Sequence, residues 1–215
     1  MKVVSLSVGG PREVEWEGNP VLTSIYKTPV DRRLQVRTLN IEGDEQSDLT
    51  VHGGVDKAVY VYPSEHYEHW RRELPGRDLP WSFFGENLTT EGLLEADVRI
   101  GDRFRIGSAE FMVTQPRLPC YKLGIKFGHM DFIKRFLKSG RTGFYLAVTT
   151  EGEIGAGDPI ELISQADDDL SVTDIVNLYT VDARNQPLLR RATESTALTE
   201  SWRDYFRKRL LDPDA

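Results

Sequence analysis

Short runs of β-branched or alternating residues, each closed by glycine or proline, recur along the first three-quarters of the chain and limit what it can become. Val3 to Val8 is such a run and ends at Gly9-Gly10-Pro11. Arg12 to Trp16 alternates polar and apolar residues, and Gly18-Asn19 then turns the chain into Val21-Leu22-Thr23, which predicts a hairpin. Leu34 to Asn40 alternates again, and Ala58 to Tyr62 reads as a buried strand. Asp97 to Ile106 and Glu110 to Gln115 predict a second hairpin about Gly107-Ser108, and Phe144 to Thr149 and Pro159 to Ile163 follow as further strands. Nine or more short strands with few helices among them predict a mainly β (α+β) fold, a barrel or sandwich rather than a parallel α/β sheet.

Helical periodicity enters twice within this stretch. Pro63 is read as opening a helix in which Tyr67, Trp70 and Leu74 share a face, ended by Pro75-Gly76. Met130, Ile133, Phe136 and Leu137 give a short amphipathic helix closed by Gly140. Composition then shifts at Gln165 to Leu170, where three aspartates in a row suggest a linker. Ser171-Val172-Thr173-Asp174 resembles a capping box, and it opens a helix with Val172, Ile175, Val176 and Tyr179 on one side. A second helix is expected around Pro187 to Ala192, with the proline tolerated in the first turn. A third is expected from Thr199 to Leu210, with Trp202, Tyr205, Phe206 and Leu210 at helical spacing. The expected organisation is a β domain over 1–164 and a three-helix unit over 165–215. That unit is too short to bury a robust core alone, so it is expected to dock on the barrel or on a partner.

Composition removes several classes of function. Apolar content of 39% with 28% charged residues is ordinary for a soluble globular protein. No stretch approaches the roughly 18 apolar residues of a membrane span, and Met1 to Ser5 lacks the apolar h-region of a signal peptide. A formal charge of −7 argues against a nucleic-acid polymer as partner. A single cysteine forbids an internal disulfide and suits a reducing cytoplasm.

That cysteine lies in Gln115-Pro116-Arg117-Leu118-Pro119-Cys120-Tyr121-Lys122-Leu123-Gly124. Two prolines stiffen the approach, and the preceding run reads as a strand, so the thiol is expected at a rigid strand exit. Arg117 and Lys122 are close in sequence, and nearby positive charge favours thiolate over thiol. Cys120 can then be a nucleophile, a soft-metal ligand or a small apolar filler of the core, and the decapeptide alone leaves all three open. His52-Gly53-Gly54 and Lys57 form either a tight strand-entry turn or an anion-binding loop; the spacing is not that of a P-loop. Gly85-Glu86-Asn87 follows an aromatic run expected in the core and can present an amide and a carboxylate to a ligand. His66 and His69 lack the partners of a zinc site and read as a solvated face. Gly155-x-Gly157 is no dinucleotide fingerprint, since it lacks the third glycine and a following helix.

Four stretches together carry a resemblance: His52-Gly53-Gly54-x-x-Lys57-Ala58-Val59-Tyr60, Gly85-Glu86-Asn87-Leu88, Gln115-Pro116-Arg117-x-Pro119-Cys120-x-Lys122-Leu123, and Thr142-Gly143-Phe144-Tyr145. In this order they resemble the MOSC family, the domain named for the C-terminal part of molybdenum cofactor sulfurases. The length and helical tail are similar to its YiiM-like subgroup, tied to resistance to N-hydroxylated purines such as 6-N-hydroxylaminopurine. One departure is Phe144, where the family pattern has tryptophan, and it keeps an aromatic ring. The resemblance implies a MOSC-type β-barrel that binds molybdenum cofactor (Mo-molybdopterin), with Cys120 as the protein's ligand to the metal. It implies that Arg117, Lys122, Lys57 and Arg141 offset the phosphate and dithiolene charge. His52 with Gly53, and Asn87 with Thr142, would hydrogen-bond the pterin or the phosphate.

The implied reaction is two-electron reduction of an N-hydroxylated substrate (a hydroxylaminopurine, N-hydroxycytosine or an amidoxime) to the amine or amidine plus water. Electrons would come from a separate flavin or iron–sulfur reductase, because one cysteine cannot hold a cluster. The tail helices would dock that donor or a second copy in a homodimer. Two rivals remain at this level: a molybdenum cofactor carrier or sulfur-transfer protein without turnover, and a hydrolase pairing Cys120 with His52, for which no orienting third residue is visible.

Overall fold

The computed structural model describes residues 1–47 and 53–211. The early strands are β1 (Lys2–Val8), β2 (Arg12–Trp16), β3 (Asn19–Thr23), β4 (Thr28–Pro29), β5 (Leu34–Arg37) and β6 (Asn40–Ile41). Then come β7 (Val59–Pro63), helix α1 (Glu65–Glu73), β8 (Leu88–Glu91), β9 (Arg103–Ile106) and β10 (Ala109–Pro116). Helices α2 (Tyr121–Phe127) and α3 (Asp131–Lys138) lead to β11 (Phe144–Thr150), β12 (Gly152–Ile154) and β13 (Ile160–Ser164). The tail is α4 (Val172–Tyr179), α5 (Gln186–Glu194) and α6 (Glu200–Leu211).

Eight strands form one sheet in the order β13-β9-β10-β11-β7-β8-β1-β4. Every pairing in it is antiparallel except β7 with β8, which are parallel because α1 and the loop after it carry the chain back across. The sheet curls until its two sides meet. The Val3 N–H donates to the Asp158 carbonyl at 2.9 Å, the Gly157 N–H to Val3 at 2.8 Å and the Ile160 N–H to Met1 at 3.0 Å. The chain just before β13 is thereby hydrogen-bonded to the start of β1, which gives the barrel expected from the strand pattern. A three-stranded sheet, β12-β5-β6, and the hairpin β2–β3 complete the β structure.

Two apolar clusters hold this frame. The barrel interior is packed with Val3, Leu6, Val36, Val59, Val61, Phe104, Phe111, Phe144 and Leu146. A second cluster, largely aromatic, joins β7 to the helices: Tyr62, Tyr67, Trp70, Phe84, Phe127, Phe132 and Phe136. Tyr62 stacks on Phe84 with ring centres 4.6 Å apart, and Trp70 on Phe136 at 5.7 Å. The aromatic run before Gly85 therefore builds the core under α2, as expected.

Several local expectations change. Pro63 ends β7 rather than opening α1, whose N-cap is Ser64. Of the run from Asp97, only Arg103–Ile106 is a strand, because the Asp102 carboxylate accepts the Arg99 N–H and turns the chain there. Helix α2 begins directly after Cys120, where the sequence shows no amphipathic repeat: Lys122, Leu123, Gly124, Ile125 and Phe127 are all buried, so no polar face marks it. In the tail, Ser171 and Asp174 form the anticipated capping box, and Asn185 caps α5 with proline in its first turn. The tail docks on the barrel, sharing one buried cluster with it through Leu170, Ile175, Leu189, Trp202 and Phe206. Among the described residues no helix is long and apolar enough to cross a membrane.

Candidate functional site

Strand β10 delivers the chain to the site. Its last residue, Pro116, faces Phe144 across the β10–β11 pairing, and the next N–H, that of Arg117, donates to the Gly143 carbonyl at 3.1 Å. Pro119 then leads to Cys120, which is extended and occupies the N-cap of α2. The Leu123 N–H returns to the Cys120 carbonyl at 3.0 Å. The strand exit is thus tied at both ends, and the half-buried thiol is set on the wall of a hollow.

Cys120 shares that hollow with Arg117, Lys122, Lys57, Gly53 and Asn87, all named from the sequence. Its other walls are Thr23, Ser24, Ile25, Lys27, residues 44–47, Tyr60, Gly85 and Tyr145. The space enclosed is about 90 Å³. Arg117 and Lys122 are not surface charges, being only 5% and 7% exposed. The Arg117 guanidinium lies 5.3 Å from the Tyr60 ring centre and 5.4 Å from that of Phe136. Its Nη1 is buried without a hydrogen-bond partner. The Lys122 Nζ donates to Ser47 Oγ at 2.9 Å. Burial pushes the Tyr60 and Tyr145 phenols upward, against the pull of Arg117, so both stay neutral donors at ordinary pH.

Asn87, on the wall, and the remaining sequence-named residues make their hydrogen bonds to the frame. Asn87 spends its amide on the frame: Oδ1 accepts the Tyr60 N–H at 3.1 Å and Nδ2 donates to the Ser7 carbonyl at 3.3 Å. Thr142 and Arg141 are not on the walls of the hollow. The Thr142 carbonyl accepts the Tyr60 hydroxyl at 2.8 Å, the Arg141 carbonyl accepts that of Tyr62 at 3.2 Å, and Arg141 Nη1 donates to Ser139. Both therefore brace the tyrosines of β7. His52 lies outside the described residues. Glu86 does not face a ligand: it is fully buried and accepts from the Tyr67 hydroxyl, the Ser82 and Phe84 N–H groups and the Thr89 hydroxyl. His66 is not a solvated residue either, since its Nε2 meets Glu95 Oε2 at 2.7 Å inside the fold. The other Glu95 oxygen accepts the Gly143 N–H at 2.7 Å.

Sequence reasoning passed over Lys27 and Asp44. The stretch from Ile41 to Thr50 reads as an acidic surface loop, yet Asp44 is 1% exposed. Its Oδ1 accepts the Gly9 N–H and pairs with the Lys27 ammonium, its Oδ2 is buried with no hydrogen-bond partner, and the residue lines the hollow. Burial pulls Lys27 below the ordinary lysine value, with Asp44 opposing that shift. No local signal separates Asp44 from its acidic neighbours, because what buries it is the distant Gly9 turn. Among the described residues no group of three or more His, Cys, Asp or Glu could hold a bare metal ion. The hollow instead offers one thiol, the cations Arg117, Lys122, Lys57 and Lys27, and the small polar residues Thr23, Ser24 and Ser47. That donor set suits an anionic ligand that brings its own metal and binds it through a soft sulfur.

The MOSC domain model matches residues 48–161, and the model of the YiiM-like 3-alpha helix domain matches 170–211. Protein YiiM of Escherichia coli (strain K12) is 38% identical over 197 residues, covering 91% of this chain and 87% of that protein. A protein of Gibberella moniliformis named "Reductase" is 30% identical over 196 residues, or 90% of this chain and 35% of its own length. The crystal structure of YiiM from Geobacillus stearothermophilus superimposes with a TM-score of 0.82 at 36% identity, covering 97% of this chain and 98% of that one. This chain belongs to the MOSC domain family and carries the YiiM-like three-helix tail.

Proposed function

We propose that the protein is a molybdenum-cofactor-dependent reductase of N-hydroxylated compounds, converting hydroxylaminopurines, N-hydroxycytosine or amidoximes to the amine or amidine plus water. The observation that carries this reading is the meeting of Cys120 with buried Arg117 and Lys122 on the walls of one hollow. When bound, the molybdenum cofactor supplies the two-electron chemistry. The chain supplies the rest. Cys120 is the protein's ligand to the metal, and Arg117, Lys122 and Lys57 offset the phosphate and dithiolene charge. His52 and the Gly53 backbone hydrogen-bond the pterin or its phosphate. Asn87, Arg141 and Thr142 act at one remove, by holding Tyr60 and Tyr62 in place. At about 90 Å³, the hollow would hold only part of such a group, with Cys120, Arg117, Lys122 and Lys57 on its walls.

Electrons come from a separate reductase, since the one cysteine cannot bind a cluster. The fungal relative's name supports a reductive role. A single functional thiol suits the reducing cytoplasm. The chain divides into modules 1–164 and 165–215, a division of sequence rather than of hydrophobic cores.

The test is molybdenum content and amidoxime reduction in protein made in a cofactor-competent host, wild type against Cys120→Ala. The variant is expected to lose the metal and all turnover while unfolding within a few degrees of wild type. Equal metal loading in both would remove Cys120 from the metal. Metal without turnover in wild type, with any reductant, would make the protein a carrier.

A further inference from the structure

Two tyrosines stand on the walls of the Cys120 hollow, and the fold uses their hydroxyls differently. Tyr60 and Tyr145 face each other across the β7–β11 pairing, with ring centres 5.4 Å apart. The Tyr60 hydroxyl is spent on the frame, since it donates to the Thr142 carbonyl at 2.8 Å. No described residue accepts from the Tyr145 hydroxyl, and its oxygen is not among the polar atoms closed off from solvent without a partner. Tyr145 is half-buried, and the charged groups that act on its phenol are Arg117 and Cys120, both on the same walls.

The backbone under this ring is fixed on both sides. Strand β11 lies between β10 and β7, so Tyr145 pairs with Gln115 on one side and with Tyr60 on the other. Its carbonyl accepts the Thr114 hydroxyl at 3.1 Å. A donor carried on a central strand is in place before any ligand arrives, so little ordering is left to be done on binding. Arg117 acts on the phenol oxygen as a cation and a donor, which leaves the O–H to point away from it. The other neutral amide of the wall is taken, because both ends of Asn87 serve the frame. The cations of the walls match charged oxygens, and a neutral phenol beside the thiol matches a neutral one.

We propose that Tyr145 is the specificity-determining residue of the hollow: its hydroxyl donates a hydrogen bond to the oxygen of a neutral N-hydroxyl group and so separates N-hydroxylated compounds from the amines they become. The assignment rests on the reductase reading. Tyr145 keeps its proton throughout. The reduction takes two electrons from the separate reductase and two protons from solvent, the N–O bond breaks, and the oxygen leaves as water. The amine product has no oxygen for Tyr145 to hold, so it is released more readily than the substrate.

The test uses the full chain made in a cofactor-competent host, with N-hydroxycytosine and cytosine as probes, both uncharged at neutral pH. Binding is read by isothermal titration with no electron donor present, and turnover is read separately. Wild type is expected to bind N-hydroxycytosine about tenfold tighter than cytosine, the size of one neutral hydrogen bond. Tyr145→Phe keeps the ring against Tyr60 and is expected to hold molybdenum and to unfold as wild type does. It is expected to lose the preference, with cytosine binding unchanged, and to lower kcat/KM about tenfold. Equal affinities for the two bases in wild type overturn the assignment without any variant. So does a Tyr145→Phe protein that keeps the preference, and so does one that loses its molybdenum, because the hydroxyl would then face the cofactor. In each of these cases a wild type that holds metal and reduces N-hydroxycytosine leaves the reductase reading standing. A wild type without metal or turnover removes that reading and this one with it.

Discussion

Arg117 is a buried charge that packing alone does not explain. A guanidinium at 5% exposure faces two rings and leaves Nη1 unmet, and under the proposed function its charge offsets that of the cofactor. Arg117→Met keeps the stem's volume and removes the buried charge. The cofactor-free protein is expected to lose no stability by urea unfolding and to gain up to about 1 kcal/mol. Metal retention during desalting is expected to fall at least tenfold. Loss of stability with normal retention would make Arg117 structural. Lys126 gives a second residue-level test, through pH. Its Nζ donates to the Ile25 and Ser82 carbonyls at 3.0 Å each, and burial lowers it from the ordinary 10.5 to about 7. Between those values the unfolded chain holds a proton that the folded one lacks, so stability rises with pH across that window. The slope is at most about 1.4 kcal/mol per pH unit. Lys126→Met should lose this slope between pH 7.5 and 9 in urea titrations, and parallel slopes in the two proteins would refute the assignment. The residues themselves were partly legible. Cys120 and Arg117 are marked by prolines and by neighbouring charge, whereas Asp44 and Lys27 are made buried by contacts far along the chain.

At the scale of elements, the β7–β11 pairing sets the site, because Tyr60 and Tyr145 face each other across it and both reach the hollow. Gly143 lets these strands close. Its φ is +66°, and an added Cβ would stand 2.3 Å from the Val61 carbonyl oxygen and 2.8 Å from the Tyr60 ring. Gly140 is the matched control, with φ +69° and nothing near its added Cβ. Gly140→Ala is expected to cost about 1 kcal/mol, the left-handed backbone penalty alone. Gly143→Ala is expected to cost roughly 3 kcal/mol or more, because neighbouring backbone must also move. Denaturant unfolding of both variants checks this, and equal costs would show that the β7–β11 pairing has room to spare. The strands were readable because alternation and glycine punctuation are local. Helix α2 was not, because five of its seven residues are buried and leave no regular polar face to read.

For the whole molecule, the open matter is whether the barrel is stable without its tail. The sequence announced three helices and the capping box of the first, but left open whether they dock on the barrel or on another partner, since an amphipathic face does not say what it will cover. The structure gives the barrel as that partner, and the join is more than side-chain packing. The Ile100 N–H donates to the Leu170 carbonyl at 2.9 Å, and the Val172 N–H donates to Val98 at 2.9 Å, so main chain from the tail completes main chain of the barrel. Beneath it, Leu170, Val172, Ile175 and Leu178 belong to the same buried cluster as Val98, Ile100 and Val113. A chain ending at residue 164 would expose that apolar surface and leave those backbone groups to water. Its unfolding is expected to lose cooperativity or to begin well below that of the full chain, with increased binding of a hydrophobic dye. Trp202→Ala, which hollows the tail without removing it, should fall between, at about 3–5 kcal/mol below wild type. If the 1–164 fragment instead melts within a few degrees of the full protein and binds no dye, the tail is an appendage.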